Sequence, residues 1–144
     1  MVIPDANLLI YTFNRNSAYH PQAKTWWEGL LDGTEYIGLD WSVLVTFLRL
    51  TTNPILFPNG VNVEDSLKAV RSWLELGHVH IIHPGSSHFE ILSSLLIQAR
   101  IGHNLVPDAH LAALAIENRA TLHSHDRDFQ RFSGLKLVDP LAKK

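Results

Sequence analysis

Cysteine is absent from all 144 residues, which excludes disulfides and thiolate metal sites and leads us to expect a reducing cytoplasm. Long apolar runs are missing too. No stretch reaches the roughly 18 uninterrupted apolar residues of a membrane span. The opening Met1-Val2-Ile3-Pro4-Asp5 lacks the basic segment and apolar run of a signal peptide. Nor is there an excess of positive charge. Twelve Lys and Arg stand against 14 Asp and Glu, for a net charge of −2, so nucleic acid gains no global attraction and any such binding needs a local basic cluster. Charged residues reach only 18% while hydrophobic ones reach 46%, and this surplus points to a surface that a partner covers. There is no internal repeat, low-complexity tract or linker, and the length suits one domain spanning residues 1–144.

What is present is a regular alternation of short strands and helices. Residues 1–4 read as a strand ending on Asp5, and residues 7–11 as a short helix. His20-Pro21 opens a helix, with Pro in the first turn, that stops at Asp32-Gly33. Residues 35–39 suit a second strand. Asp40 or Ser42 then caps a helix running to Thr52, which Asn53-Pro54 breaks. A loop over 54–60 leads to a helix capped by Asn62 and ended by Gly77, then to a strand over 79–82. Ser86 or Ser87 starts the next helix. A connection over 102–107 precedes an Ala- and Leu-rich helix from Asp108 to Ile116. A strand over 120–124, a helical turn over 126–132 and a strand over 135–138 complete the chain. This pattern predicts an α/β fold, a three-layer α/β/α sandwich on a short, mainly parallel sheet.

Four aspartates stand out against that layout. Ligands collect at the carboxyl ends of strands in open parallel sheets. Asp5 follows the first strand, Asp126 and Asp128 follow the fourth, and Asp108 opens a helix, where the dipole favours an anion. Each taken alone is also what a helix cap or turn uses. If the first and fourth strands are neighbours, however, all four converge on one edge. Carboxylates that close repel unless a cation joins them, and an all-oxygen cluster suits Mg²⁺ or Mn²⁺ better than zinc.

Three segments carry a family resemblance. Ile3-Pro4-Asp5-Ala6-Asn7-Leu8-Leu9-Ile10-Tyr11 resembles the opening of PIN-domain proteins. Asp108-Ala109-His110-Leu111-Ala112-Ala113-Leu114-Ala115 is similar to that family's third acidic motif, and Leu122-His123-Ser124-His125-Asp126-Arg127-Asp128-Phe129 to its fourth. The motifs occur in family order and span essentially the whole chain. Phe47-Leu48-Arg49-Leu50-Thr51-Thr52-Asn53-Pro54 looks most like VapC-type toxins of toxin–antitoxin operons.

The resemblance implies a Mg²⁺- or Mn²⁺-dependent endoribonuclease that hydrolyses phosphodiesters with metal-activated water. Its catalytic acids would be Asp5, Asp108, Asp126 and Asp128, with Asp5, Asp108 and Asp126 as metal ligands. Asn7 and Ser124 would orient those carboxylates. It implies a cognate antitoxin and an RNA substrate as partners, and a homodimer is the expected assembly. One departure is plain: the usual Glu on the helix after the second strand, three residues before Arg49, is Thr46 here. Asp40 on the same helix is either a substitute carboxylate or a cap. This gap supports a rival reading, a PIN-fold binding or assembly subunit of weakened activity. A flavodoxin-like phosphoacceptor ranks lower, because the third strand ends His83-Pro84-Gly85 rather than on an Asp.

Other features weigh less. His123 with His125, and His78 with His80, stand two apart on strands, but nothing supplies a third ligand at zinc-site spacing. Among the basic residues, Arg49 and Arg127 adjoin the motifs and are the candidates for touching RNA phosphate. Trp26, Trp27, Leu30 and Leu31 are more apolar bulk than one helix face buries, which suggests a groove for a partner helix. Excess apolar surface on this helix and on the helix over 40–52 predicts a homodimer or an antitoxin-bound complex.

Overall fold

The computed structural model describes residues 1–58 and 61–143, and the loop expected over 54–60 lies partly outside them. Five three-residue strands form its centre: β1 (Val2–Pro4), β2 (Ile37–Leu39), β3 (Val79–Ile81), β4 (Thr121–His123) and β5 (Lys136–Val138). All pair in parallel, in the order β3-β2-β1-β4-β5. Six helices connect them: α1 (Ala6–Phe13), α2 (His20–Asp32), α3 (Trp41–Thr51), α4 (Val63–Leu74), α5 (His88–Ala99) and α6 (Val106–Glu117). The α/β sandwich on a short parallel sheet is therefore observed, with no antiparallel strand among the described residues.

Local chemistry explains the boundaries. Asn62 caps α4 by accepting from the Asp65 N–H at 2.8 Å, and Asp40 caps α3 by accepting from the Ser42 N–H at 3.1 Å. Pro stands in the first turn of both α2 and α6, where its missing N–H costs no helix bond. α6 accordingly starts at Val106, two residues before the expected Asp108. The preceding connection also holds a short 3₁₀ turn, His103–Leu105. In β2 Gly38 is closely packed: an added Cβ would lie 2.9 Å from Met1 Sδ and 3.1 Å from Ile82 Cγ2, so those side chains would have to give way.

β1 and β2 are buried along their whole length, as strands covered on both faces must be. α6 has its Ala-rich run, Ala112–Ala115, fully in the core. On the other helices, aromatic rings join end to end. Phe13 meets Phe47 at 5.2 Å, Phe47 meets Trp73 at 5.0 Å, and Trp73 meets Trp27 at 5.3 Å. This line ties α1, α3, α4 and α2 together.

The partner groove expected around Trp26, Trp27, Leu30 and Leu31 does not form on α2. Trp27 is buried and the other three pack partly buried against the core, because α2 presses these side chains inward. Exposed apolar bulk lies at Trp41 and Val45 of α3, as expected for the helix over 40–52, and also at Ile55 and Leu56, at Val63 and Leu67 of α4, and at Phe89 and Ile97 of α5. Among the described residues no helix is long and apolar enough to cross a membrane.

Candidate metal centre

The strand order decides where the aspartates go. β1 and β4 are direct neighbours in register, Pro4 opposite His123, so the residues that follow each strand leave the sheet side by side. Asp5 and Asp126 thus share the carboxyl edge. The Asp5 N–H donates to the His123 carbonyl at 2.9 Å, which extends the ladder one step toward the site.

Ser124 links the two acids. Buried beneath them, its Oγ donates to Asp5 Oδ2 at 2.8 Å and accepts from the Asp126 N–H at 3.0 Å. One hydroxyl thereby fixes a carboxylate and the backbone that carries the next one. Asp126 caps the 3₁₀ turn Arg127–Arg131, where its Oδ1 accepts from the Asp128 N–H at 2.9 Å. That bond folds the chain back so that both side chains of the Asp126-Arg127-Asp128 step face the same space. Asp108 arrives on the first turn of α6, where the N-cap position belongs to Leu105. Asp108 is therefore not the cap that its place in the sequence suggested.

One carboxylate oxygen from each of Asp108, Asp126 and Asp128 lies within 4.8 Å of the other two. Asp5 is outside that tight trio but beside it, and Asp5 and Asp126 act on one another's side of the edge through their charges. The cost of the arrangement appears in the acidities. Burial, and then the charges of Asp126, Asp5 and Asp128, push the Asp108 carboxyl up to about 6. Burial also raises Asp5 above the ordinary carboxylate range, against the pull of the Ser124 hydroxyl and the Ala6 and Asn7 amides, with the charge of Asp126 adding to the rise. A set of hard oxygen donors whose charges repel is what a divalent cation joins, so the residues present fit Mg²⁺ or Mn²⁺.

The supporting residues divide. Ser124 makes the contacts just described. Asn7 has an exposed side chain with no hydrogen bond to any of the acids, and only its backbone amide acts on Asp5. Arg127 is exposed between Asp126 and Asp128. Arg49 sits in the last turn of α3, about 13 Å along the helix from Asp40, and no arginine is among the charges acting on Asp5 or Asp108.

Asp40 is the N-cap of α3 and does not join the acids. It is buried, bonded to the Ser42 N–H and hydroxyl, and accepts from His110 Nε2 at 3.0 Å. Burial alone would raise its carboxyl, but the His110 and Ser42 bonds outweigh that and hold it below the usual range. The contact continues as a chain that sequence spacing did not reveal. His110 Nδ1 lies 2.9 Å from His88 Nε2, and His88 Nδ1 lies 3.2 Å from Glu117 Oε2. It braces α3, α5 and α6.

The histidine pairs do not make a metal site among the described residues. His123 Nδ1 accepts from Trp26 Nε1 at 3.0 Å, and burial holds its imidazole below the ordinary value, hence neutral. His125 Nδ1 lies 2.8 Å from Asp139 Oδ2.

Comparison with known proteins agrees with the geometry. Residues 2–135 match the PIN domain family. The chain is 40% identical to Ribonuclease VapC37 of Mycobacterium tuberculosis, over 99% of each chain. It is 37% identical to Ribonuclease VapC33 of the same species, over 99% of this chain and 100% of the relative. Its fold matches that of VapBC2 from Rickettsia felis bound to a promoter DNA fragment, with a TM-score of 0.68 at 19% identity over 96% of this chain and 98% of the other. It also matches FitAB bound to IR36 DNA, with a TM-score of 0.71 at 14% identity over 100% of this chain and 98% of the other. With acids at the ends of β1 and β4 and at the start of α6, and a family match across nearly its whole length, the chain belongs to the PIN-domain family.

Proposed function

We propose that this chain is the toxin of a toxin–antitoxin pair, a metal-dependent endoribonuclease that hydrolyses RNA phosphodiester bonds. The observation that carries the reading is the convergence of Asp108, Asp126 and Asp128, with Asp5 alongside, on one sheet edge. Relatives named as VapC ribonucleases at 40% and 37% identity support the RNA chemistry. Asp5, Asp108 and Asp126, joined by Asp128, would hold Mg²⁺ or Mn²⁺, which when bound lowers the pKa of water and offsets charge on the phosphate.

The chain's own residues supply order. Ser124 keeps one Asp5 oxygen occupied and so sets which one faces the site. Asp126 spends one oxygen on its cap bond and keeps the other free. Asp108 stands in the first turn of α6, the end of a helix dipole that favours an anion. The exposed apolar residues of α3 and α4 are where we seat the partner, an antitoxin segment or a second copy of the chain. The fold shared with VapBC2 and FitAB supports a partner protein, and the exposed apolar side chains of α3 and α4 are our reason for seating it there.

The test is cleavage of total cellular RNA by the chain with and without Mg²⁺, set against Asp5→Asn. Wild type should cut only with the ion, and Asp5→Asn should lose activity by about a hundredfold or more. Cleavage that survives in chelator rejects the reading.

Thr46 bears on metal affinity. No acid replaces the expected Glu, because Asp40 is already committed to Ser42 and His110. The free protein should therefore hold a first Mn²⁺ weakly and a second hardly at all. In calorimetric titration Thr46→Glu should tighten Mn²⁺ on the order of tenfold, about 1.4 kcal/mol. Asp40→Asn should leave affinity unchanged. If Asp40→Asn abolishes binding while Thr46→Glu does nothing, Asp40 is the ligand and α3 is misread.

A further inference from the structure

Three aromatic rings stand in a row beside the aspartates: Tyr11 rests at one end against the small core of Leu8, Ala23 and Leu141, while the metal centre accounts for none of the three. Tyr11 of α1 lies 5.2 Å from Tyr19, which precedes α2. Tyr19 lies 4.7 Å from the imidazole of His125, at 60°. The row differs from the buried aromatic line that joins the helices. Tyr19 is 38% exposed, and Tyr11 and His125 are half-buried.

It is also held in place. His125 Nδ1 is fixed 2.8 Å from Asp139 Oδ2, and His20 Nδ1 donates to the Tyr11 carbonyl at 2.9 Å. The Tyr19 N–H donates to Ser17 Oγ at 3.1 Å. These bonds fix the α1–α2 segment on one side and the His125 loop on the other, and the two meet at the Tyr19–His125 ring contact.

Its location is what gives the row meaning. His125 is the residue immediately before Asp126. The Tyr11 hydroxyl is pushed up by burial and then by Tyr19, Asp5 and Asp126, so it stands within the field of the acids. A chain of net charge −2, with four carboxylates at its site, offers a polyanion little general attraction. Affinity must then come in good part from contacts that do not depend on charge. Unpaired RNA bases supply such contacts, because every base has a face that stacks on aromatic side chains.

We propose that Tyr19, flanked by Tyr11 and His125, is a stacking surface for one unpaired RNA base next to the scissile phosphate. The proposal rests on the RNA-cleaving reading above and adds the residue that stacks on a base beside the cut, with a base preference at that one position. Tyr19 contacts the substrate base and modestly favours the bases that stack most strongly, while the aspartates perform the hydrolysis.

The test uses wild type, Tyr19→Phe, Tyr19→Leu and Tyr19→Ala on two substrates: total cellular RNA, and short unstructured oligoribonucleotides of random sequence whose products are sequenced. Wild type should cut the oligonucleotides with a preferred base at one flanking position. Tyr19→Phe keeps the ring and should match it. Tyr19→Leu keeps apolar bulk without the π face, and like Tyr19→Ala it should raise KM about tenfold, flatten that preference and leave kcat within about twofold. Unchanged KM and base profile in Tyr19→Leu and Tyr19→Ala overturn the proposal, as does an equal loss in Tyr19→Phe. Wild type that cuts total RNA but spares the oligonucleotides overturns this proposal alone. Wild type that cuts neither overturns the nuclease reading as well.

Discussion

Asp108→Asn should yield a protein that is more stable than wild type without metal and nearly inactive with it. The Asp108 carboxyl stands at about 6 in the fold, against an ordinary 3.8 in the unfolded chain. Its folded value is raised, so between those two values the native state holds the proton that the unfolded state has released. Metal-free stability must then fall as pH rises from about 3.8 to about 6, and level off above. A fully buried carboxyl moved that far would carry about 3 kcal/mol. Asp108 is only half-buried, and solvent screening cuts this to about 1 kcal/mol. The neutral amide removes the penalty. In chelator at pH 8 the variant should unfold at higher urea than wild type, and the gap should close near pH 4. Adding Mg²⁺ reverses the order, since an ion that binds only the native state stabilises wild type by mass action. RNA cleavage should drop about a thousandfold, roughly 4 kcal/mol of transition-state stabilisation. A variant less stable than wild type at pH 8 without metal would show that the four acids do not repel as the fold implies.

The same physics explains what could be read in the sequence. Strand positions were legible because each is a short apolar run between punctuating residues, and caps such as Asn62 and Asp40 act through neighbours two or three residues away. The meeting of Asp5 with Asp126 was legible only conditionally, because it depends on β1 and β4 being neighbours, a fact of strand order. Asp128 stands in the tight trio and Asp5 just outside it, a distinction of a few ångströms that spacing cannot express. The start of α6 was misplaced because Pro107 reads as a breaker, yet it is well tolerated in a first turn. The brace from Asp40 through His110 and His88 to Glu117 joins residues 70, 22 and 29 apart in sequence. No local pattern encodes such contacts. The apolar surplus is expected on α2 and α3 alike, and of these two the structure exposes it on α3. Periodicity shows that α2 has two faces' worth of bulk, while only packing shows that Trp26, Leu30 and Leu31 turn inward and that Trp41 and Val45 do not.

Phe47→Ala should cost about 3–5 kcal/mol, a large share of the stability of a domain this size. Phe47 is fully buried at the middle of the aromatic line, between Phe13 of α1 and Trp73 of α4. Truncation removes the ring's own burial and also leaves a void that both neighbours face, since helices pinned to a parallel sheet cannot close on it fully. Phe47→Leu keeps most of the volume and should cost no more than about 1.5 kcal/mol. Urea unfolding followed by tryptophan emission reads both variants, because Trp73 lies against the void and Trp27 against Trp73. The consequence for the site is indirect but specific. Phe13 is the last residue of α1, and α1 begins at its N-cap Asp5, the acid that Ser124 holds. Slack at the far end of an eight-residue helix reaches its first turn, about 12 Å away. Under conditions where Phe47→Ala remains folded, its Mn²⁺ affinity should therefore fall together with its stability, while Phe47→Leu keeps both. A Phe47→Ala protein destabilised by less than about 1 kcal/mol would mean the aromatic line does not hold these helices. Full destabilisation with unchanged Mn²⁺ affinity would mean instead that the β1–β4 edge and Ser124 position Asp5 without help from α1.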